Sequence, residues 1–331
     1  MQIIDISNSV SPLLVGSYDT LDATGVYVSG KYAYVTDNTN GLLIVDISNP
    51  ISPTLAGAYD TSGNATGVYV SGKYAYVSDA NAGLEIFDVS NPNNPLLMGS
   101  YVPGICGIYY TRIVGNYAYS PCTNSGLLII DVSNPKLPVY KGSYDSPGNA
   151  LGVYISGEYA YLADQSGGLA IINIASSTAP SLVGTYAGSS LTGKVYISGK
   201  YAYTADGTDG LRVIDISNPA TPKLIGLYNT PGSAFNIFIS GKYAYVADDT
   251  AGLQIVNIQG ADINALTAGN ISTNDLTVSE NVDIGNNLYV RSGLNVGISG
   301  IFSDGPLGIA TTSFFGGDMG IGTSTPLSNL G

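Results

Sequence analysis

The sequence predicts an all-β fold, a β-propeller of six blades, each a four-stranded antiparallel sheet. Three observations carry that expectation. A unit of about forty-two residues recurs, with Gly-Lys-Tyr-Ala-Tyr or a close variant starting at Gly30, Gly72, Gly115, Gly157, Gly199 and Gly241. A second phrase, Gly-Leu-Leu-Ile-Val-Asp-Ile-Ser-Asn-Pro at 41–50, follows in register in each copy. Fixed periods in this range mark solenoids, propellers or arrays. Finally, each copy breaks into four short apolar runs, which leaves no room for a helix.

Within residues 24–60, Gly25 to Ser29 is a short run of β-branched and aromatic residues, closed by a turn at Gly30-Lys31 (strand A). Tyr32 to Thr36 is strand B, and Asp37-Asn38-Thr39-Asn40-Gly41 is a loop of turn formers. Leu42 to Ser48 is the more continuously apolar strand C, and Asn49-Pro50-Ile51-Ser52-Pro53 ends it, because proline cannot donate to a sheet ladder. Thr54 to Tyr59 is strand D. Along strand B, Tyr32 and Tyr34 take one face and Ala33 and Val35 the other. A bulky face opposite a small one is what sheets stacked around an axis need. Of the 26 tyrosines all but Tyr289 lie in the repeats, where packing accounts for them better than cofactor stacking.

The repeated Leu-Leu-Ile-Val-Asp-Ile-Ser-Asn-Pro resembles the LVIVD repeat and, more widely, the YVTN and NHL propellers. This resemblance covers residues 1–258 and implies a propeller at a bacterial surface; it implies no catalytic residue. Asn173 and Asn257 replace the motif's Asp, which points to a capping role that an amide can also fill. Residues 1–258 are therefore read as the propeller and 259–331 as a fibre-like or extended β segment, a Gly/Asn/Ser-rich stalk or linker. In that segment Gly320 to Pro326 resembles tail-fibre-like stalks, which implies trimerisation.

Ile3-Ile4-Asp5-Ile6-Ser7-Asn8 matches Ile44 to Asn49, so the chain opens inside a repeat, as a fragment or a late start does. The run Leu13 to Asp19 precedes the first strand A, and the last A-B-C set has no D. The expected closure uses that early run as the fourth strand of the last blade, leaving Met1 to Ser7 surplus. A seven-blade count stays open, with Val282 to Val290 supplying strands A and B to residues 1–19.

Composition narrows the function classes. The chain carries a formal charge of −13, no histidine, no tryptophan and two cysteines. Few cations on an acidic chain argue against a nucleic-acid partner. No apolar run is long enough to span a membrane. Without histidine there is no Ser-His-Asp or Cys-His nucleophile and no imidazole metal ligand. Arg112 and Arg212 are the only arginines in the repeats, too few for a sialidase-type cluster, and Glu85 and Glu158 sit at different strand registers.

Asp37, Asp79, Asp164, Asp206 and Asp248 end strand B in five copies. Two readings apply: a ring of carboxylates that attracts Ca²⁺, or side-chain caps on loop amides, the second being favoured by its regular repetition. Cys122 takes the place of Asp37 in the third repeat, and Cys106 is aligned with Thr24, just before strand A. Strands A and B are antiparallel neighbours, so a Cys106–Cys122 disulfide is expected, and with it an oxidising, extracellular setting. The third repeat departs most from the others, and residues 103–112 and 120–125 are the first choice for any special contact. The leading expectation is a non-enzymatic, surface or extracellular propeller that presents loops to a protein or glycan. The alternatives are a carboxylate-based or Ca-dependent hydrolase and a purely structural appendage component.

Overall fold

The computed structural model of the protein describes residues 1–104, 106–188 and 193–258. The chain divides into two units, Met1–Leu266 and Thr267–Gly331, and every described residue belongs to the first. The expected stalk at 259–331, the tail-fibre resemblance at Gly320 to Pro326 and the extra strands at Val282 to Val290 lie outside the described residues.

The described residues form a six-bladed all-β propeller. Blade 1 contains β3 (Ala23–Ser29), β4 (Tyr32–Asp37), β5 (Gly41–Asp46) and β6 (Thr54–Tyr59), and an N-terminal pair, β1 (Gln2–Asp5) and β2 (Leu13–Ser17), precedes it. Blade 2 contains β7 (Ala65–Ser71), β8 (Tyr74–Asp79), β9 (Gly83–Asp88) and β10 (Leu96–Tyr101). Blade 3 contains β11 (Arg112–Val114), β12 (Tyr117–Cys122), β13 (Gly126–Asp131) and β14 (Val139–Tyr144). In blade 4 the strands are β15 (Ala150–Ser156), β16 (Tyr159–Asp164), β17 (Gly168–Asn173) and β18 (Ser181–Tyr186). Those of blade 5 are β19 (Lys194–Ser198), β20 (Tyr201–Ala205), β21 (Leu211–Asp215) and β22 (Lys223–Tyr228). Blade 6 holds β23 (Asn236–Ser240), β24 (Tyr243–Ala247) and β25 (Leu253–Asn257). Consecutive strands pair antiparallel within each sheet, in the order A-B-C-D. Short 3-10 turns at Gln165–Gly167 and Asp249–Ala251 are the helical exceptions, and no helix among the described residues is long and apolar enough to cross a membrane.

Blade stacking follows the strand B alternation. Tyr34, Leu42 and Ile44 of blade 1 bury against Val70, Ala75, Val77 and Phe87 of blade 2. The same pattern joins Tyr161 and Ile171 of blade 4 to Ala202 and Ile214 of blade 5. Alanine on one sheet leaves the hollow that a tyrosyl ring from the neighbour fills, which is why neither residue is interchangeable at close-packed density. The motif carboxylates at the end of strand C cap the turn that follows. Asp46 accepts from the Ser48 amide at 2.9 Å, and Asn173 does the same for Ala175 at 3.0 Å, so an amide does fill this role. Hydrogen bonds from Ser48, joined by Lys31, hold the Asp46 carboxyl at about 2.

Closure differs from the expectation. Leu13–Ser17 does not complete the last blade; it pairs with Gln2–Asp5, and blade 6 has three strands among the described residues. The seven-residue link between β1 and β2 resembles every other C-D connection, so local pairing costs far less chain entropy than a partner more than two hundred residues away. The β1–β2 sheet nevertheless sits between the ends of the ring. Met1 and Tyr18 pack on Ala33, Val35, Leu43 and Val45 of blade 1, while Ser9 Oγ donates to Tyr243 Oη of blade 6 at 3.0 Å. Having no inner strands, this sheet leaves Val26 and Val28 of blade 1 and Phe235 and Phe238 of blade 6 exposed along the inner seam.

Candidate functional site at the propeller axis

Strand A lines the axis, and its residues decide what the channel presents. Tyr27, Tyr69, Arg112, Tyr154, Tyr196 and Phe238 occupy one register, each opposite the second tyrosine of strand B. They touch in sequence around the axis. Ring centroids lie 4.9 Å apart for Tyr27–Tyr69, 5.0 Å for Tyr154–Tyr196 and 5.3 Å for Tyr196–Phe238. Arg112 interrupts the aromatic arc, its guanidinium carbon 5.5 Å from the rings of both Tyr69 and Tyr154.

Two residues earlier on each strand the repeats hold Gly25, Gly67, Tyr110, Gly152, Lys194 and Asn236. Glycine at three of these positions makes room for the large side chains at the others. A Cβ on Gly67 would stand 2.6 Å from the Tyr110 ring, and one on Gly152 only 3.2 Å from Lys194 Cα. Tyr110 reaches from blade 3 across to blade 1, where its hydroxyl donates to the Thr24 carbonyl at 3.2 Å. Lys194 of blade 5 sets its ammonium 3.4 Å from the Tyr110 ring centroid, a cation–π contact. Tyr110 and Lys194 thus form a floor across the channel, and the Tyr/Arg/Phe arc forms its wall.

Partial burial without an acid partner separates these two cations from the exposed Lys136, Lys200, Lys223 and Lys242. Lys31, Lys73, Lys141 and Arg212 all pair with aspartates at 2.7–3.2 Å. Arg112 and Lys194 take part in no salt bridge among the described residues. Lys194 keeps some accessible area yet is walled in by protein; desolvation, and then the nearby Arg112 charge, bring its ammonium down to about 7.

The five strand B aspartates do something else. All are buried, and no group of three or more carboxylate or thiol side chains among the described residues is placed to share an ion. Asp37 accepts from the amides of Asp22, Thr39 and Asn40 at 2.9–3.0 Å, bonds that outweigh its burial and hold its carboxyl below the usual carboxylate range. Asp79 caps the Asn81 and Ala82 amides. Asp164 binds Ser146 Oγ at 2.8 Å and the Gly148 amide at 3.0 Å; Asp248 binds Thr230 Oγ1 at 2.6 Å and the Gly232 amide at 2.8 Å. Asp206 meets Arg212 Nε at 2.8 Å. Each carboxylate therefore serves its own blade, most of them tying the D-A loop to the B-C loop.

Cys106 and Cys122 form the expected disulfide, with Cα atoms 5.5 Å apart. Its register corrects the alignment with Thr24. Ile108 lies opposite Cys122 as Ala23 lies opposite Asp37, so Tyr109 matches Thr24. Cys106 stands 16 residues before Cys122, the same separation as Gly148 from Asp164 and Gly232 from Asp248. The disulfide is thus a covalent version of the tie that aspartate makes elsewhere. It anchors the segment leading to Tyr110 and Arg112, which places the exceptional third repeat at the axis. Reading blades one at a time missed Lys194; comparing the Gly25 position across all six copies finds it.

The LVIVD repeat profile matches seven segments, 1–20, 22–61, 62–102, 112–146, 147–188, 191–230 and 231–262. The chain belongs to the LVIVD repeat family. Its first matched segment coincides with the β1–β2 sheet. No curated protein matches this LVIVD chain in sequence. Among solved structures it is similar to a chain of the mitotic checkpoint complex (12% identity, 76% of this chain and 79% of that one, TM-score 0.62). It also resembles the computationally designed Ika8 protein (10%, 71% of each chain, 0.57) and BamB from Moraxella catarrhalis (17%, 75% of each chain, 0.51). At these identities the likeness shows the propeller fold alone.

Proposed function

We propose that this LVIVD propeller is a non-enzymatic ligand-binding module of an oxidising, extracellular or surface setting, and that it binds glycan. The observation that carries this reading is the axial wall: Tyr27, Tyr69, Tyr154, Tyr196 and Phe238, held by five of the six sheets in tilted and edge-on contacts that Arg112 interrupts. Aromatic faces with a few fixed polar groups suit sugar rings, whose C–H edges carry partial positive charge and settle on negative π faces. The rings are ordered by the scaffold before any ligand arrives, which lowers the entropy cost of binding. Support for the setting comes from the Cys106–Cys122 disulfide, since such bonds persist outside reducing compartments. The strand A positions named at the axis hold no carboxylate, which supports a binding role over carboxylate-based hydrolysis. The commitment of the strand B aspartates to loop amides supports binding that is independent of calcium. A glycan-array screen of the full chain, with and without calcium, tests the proposal. Saccharide binding indifferent to chelation is expected; binding only to proteins, or turnover of a bound saccharide, would remove it.

A further inference from the structure

The geometry points to an acidic saccharide as the axial ligand, its carboxylate held between Arg112 and Lys194 and its ring against the tyrosyl wall. This deepens the glycan-binding reading and rests on it. Two cations from different blades converge on one channel, and no acid among the described residues meets either in a salt bridge. That arrangement is costly as it stands. Lys194 is stripped of water, and the Arg112 charge beside it adds repulsion. The chain as a whole is strongly acidic, with a formal charge of −13, so the positive potential is local to the axis and not a share of a basic surface.

A structural role for the two cations is poorly served by this geometry. The other blades use glycine, tyrosine or asparagine where blade 5 has Lys194, and tyrosine or phenylalanine where blade 3 has Arg112. What the pair adds is a set of N–H donors, five on guanidinium and three on ammonium, above an aromatic floor. Two charge-assisted bonds to one carboxylate would neutralise both groups together. The remainder of the wall is aromatic, which fits a ligand with one negative group on an uncharged ring better than a densely charged phosphate ester. At the inner seam the wall is exposed, Phe238 by 57%.

The test is calorimetric titration of the full chain with a monomeric hexuronate, the matching neutral hexose and inorganic phosphate. Hexuronate should bind at least tenfold more tightly than either. Lys194→Met and Arg112→Gln should each weaken hexuronate by tenfold or more, while Lys223→Ala on the outer strand β22 leaves it unchanged. Thermal melts followed by circular dichroism check that the variants are folded, and Lys194→Met, which only removes a buried charge, keeps the test alive if Arg112→Gln does not fold. Equal affinity for the neutral hexose, tighter binding of phosphate, no detectable hexuronate binding, or binding untouched by both variants would overturn the inference. If the glycan array shows saccharides that bind regardless of Arg112 and Lys194, the glycan reading stands and this assignment falls. If hexuronate binds at the axis and a uronide is cleaved there, the assignment stands and the non-enzymatic reading falls.

Discussion

Replacing Glu85 by glutamine should stabilise the protein at neutral and alkaline pH and change little in acid. Glu85 lies on β9, opposite Val77 and Ser100, at a position that other blades fill with Leu43, Leu128 or Ala170. It is 5% exposed, and its Oε2 has no hydrogen-bond partner among the described residues. Burial, with the nearby Asp79 carboxylate, lifts Glu85 from 4.5 to about 7. The folded state therefore holds this proton more tightly than the unfolded chain does. The stabilisation is complete below about pH 4.5 and is lost as pH rises through about 7. At about 1.4 kcal/mol per factor of ten in proton affinity, the wild type should lose about 3 kcal/mol by pH 8. Glu85→Gln cannot ionise and escapes that loss; Glu85→Leu, which restores the residue of blades 1 and 3, should gain at least as much. Urea unfolding of wild type and variant at pH 4, 6 and 8 measures it, read as the shift in midpoint at constant slope. A gap between the two proteins that stays the same from pH 4 to pH 8, or that widens in acid, would refute the reasoning.

Other expectations follow from the same structure. Reducing the Cys106–Cys122 disulfide, or replacing both cysteines by serine, should cost about 3 kcal/mol for a loop of this size, seen as a lower melting temperature with dithiothreitol. Asp164→Ala removes the acceptor for Ser146 and the Gly148 amide and should cost about 1–3 kcal/mol in chemical unfolding; a neutral result would deny that the strand B carboxylates tie the loops. Gly67→Ala should push Tyr110 off its site and lower stability, whereas alanine at Gly30, which meets no neighbour but sits at φ +59°, should cost only its backbone strain. Lys194→Met should raise stability at pH 6, because the folded wild type carries the full desolvation cost below about 7, and that advantage should fade as pH climbs toward 10.5, where both states are neutral.

Much of this architecture is written in single repeats. Tyr34 and Ala33 announce the stacking faces, and Asn49-Pro50 marks where strand C ends. The disulfide was legible because antiparallel A and B strands bring Cys106 near Cys122, although the 43-residue third repeat and the bulge between Ala23 and Gly25 obscured its register. What one repeat cannot reveal is which blades face each other. Tyr110 and Lys194 lie 84 residues apart on blades 3 and 5, and only radial geometry puts the ammonium on the ring. Closure was misjudged for a related reason: counting strands says nothing about whether β2 prefers β1 or the last blade, and the short link decides it.

The account turns on blades 3, 5 and 1 meeting at one axis, and a proton NMR titration of the lysine side chains tests that most directly. With Lys194 over Tyr110 and beside Arg112, one lysine should show ε-methylene protons shifted upfield by the ring and titrate near 7, and that signal should vanish in Lys194→Met. A spectrum with no ring-shifted lysine and none titrating near 7 would contradict it.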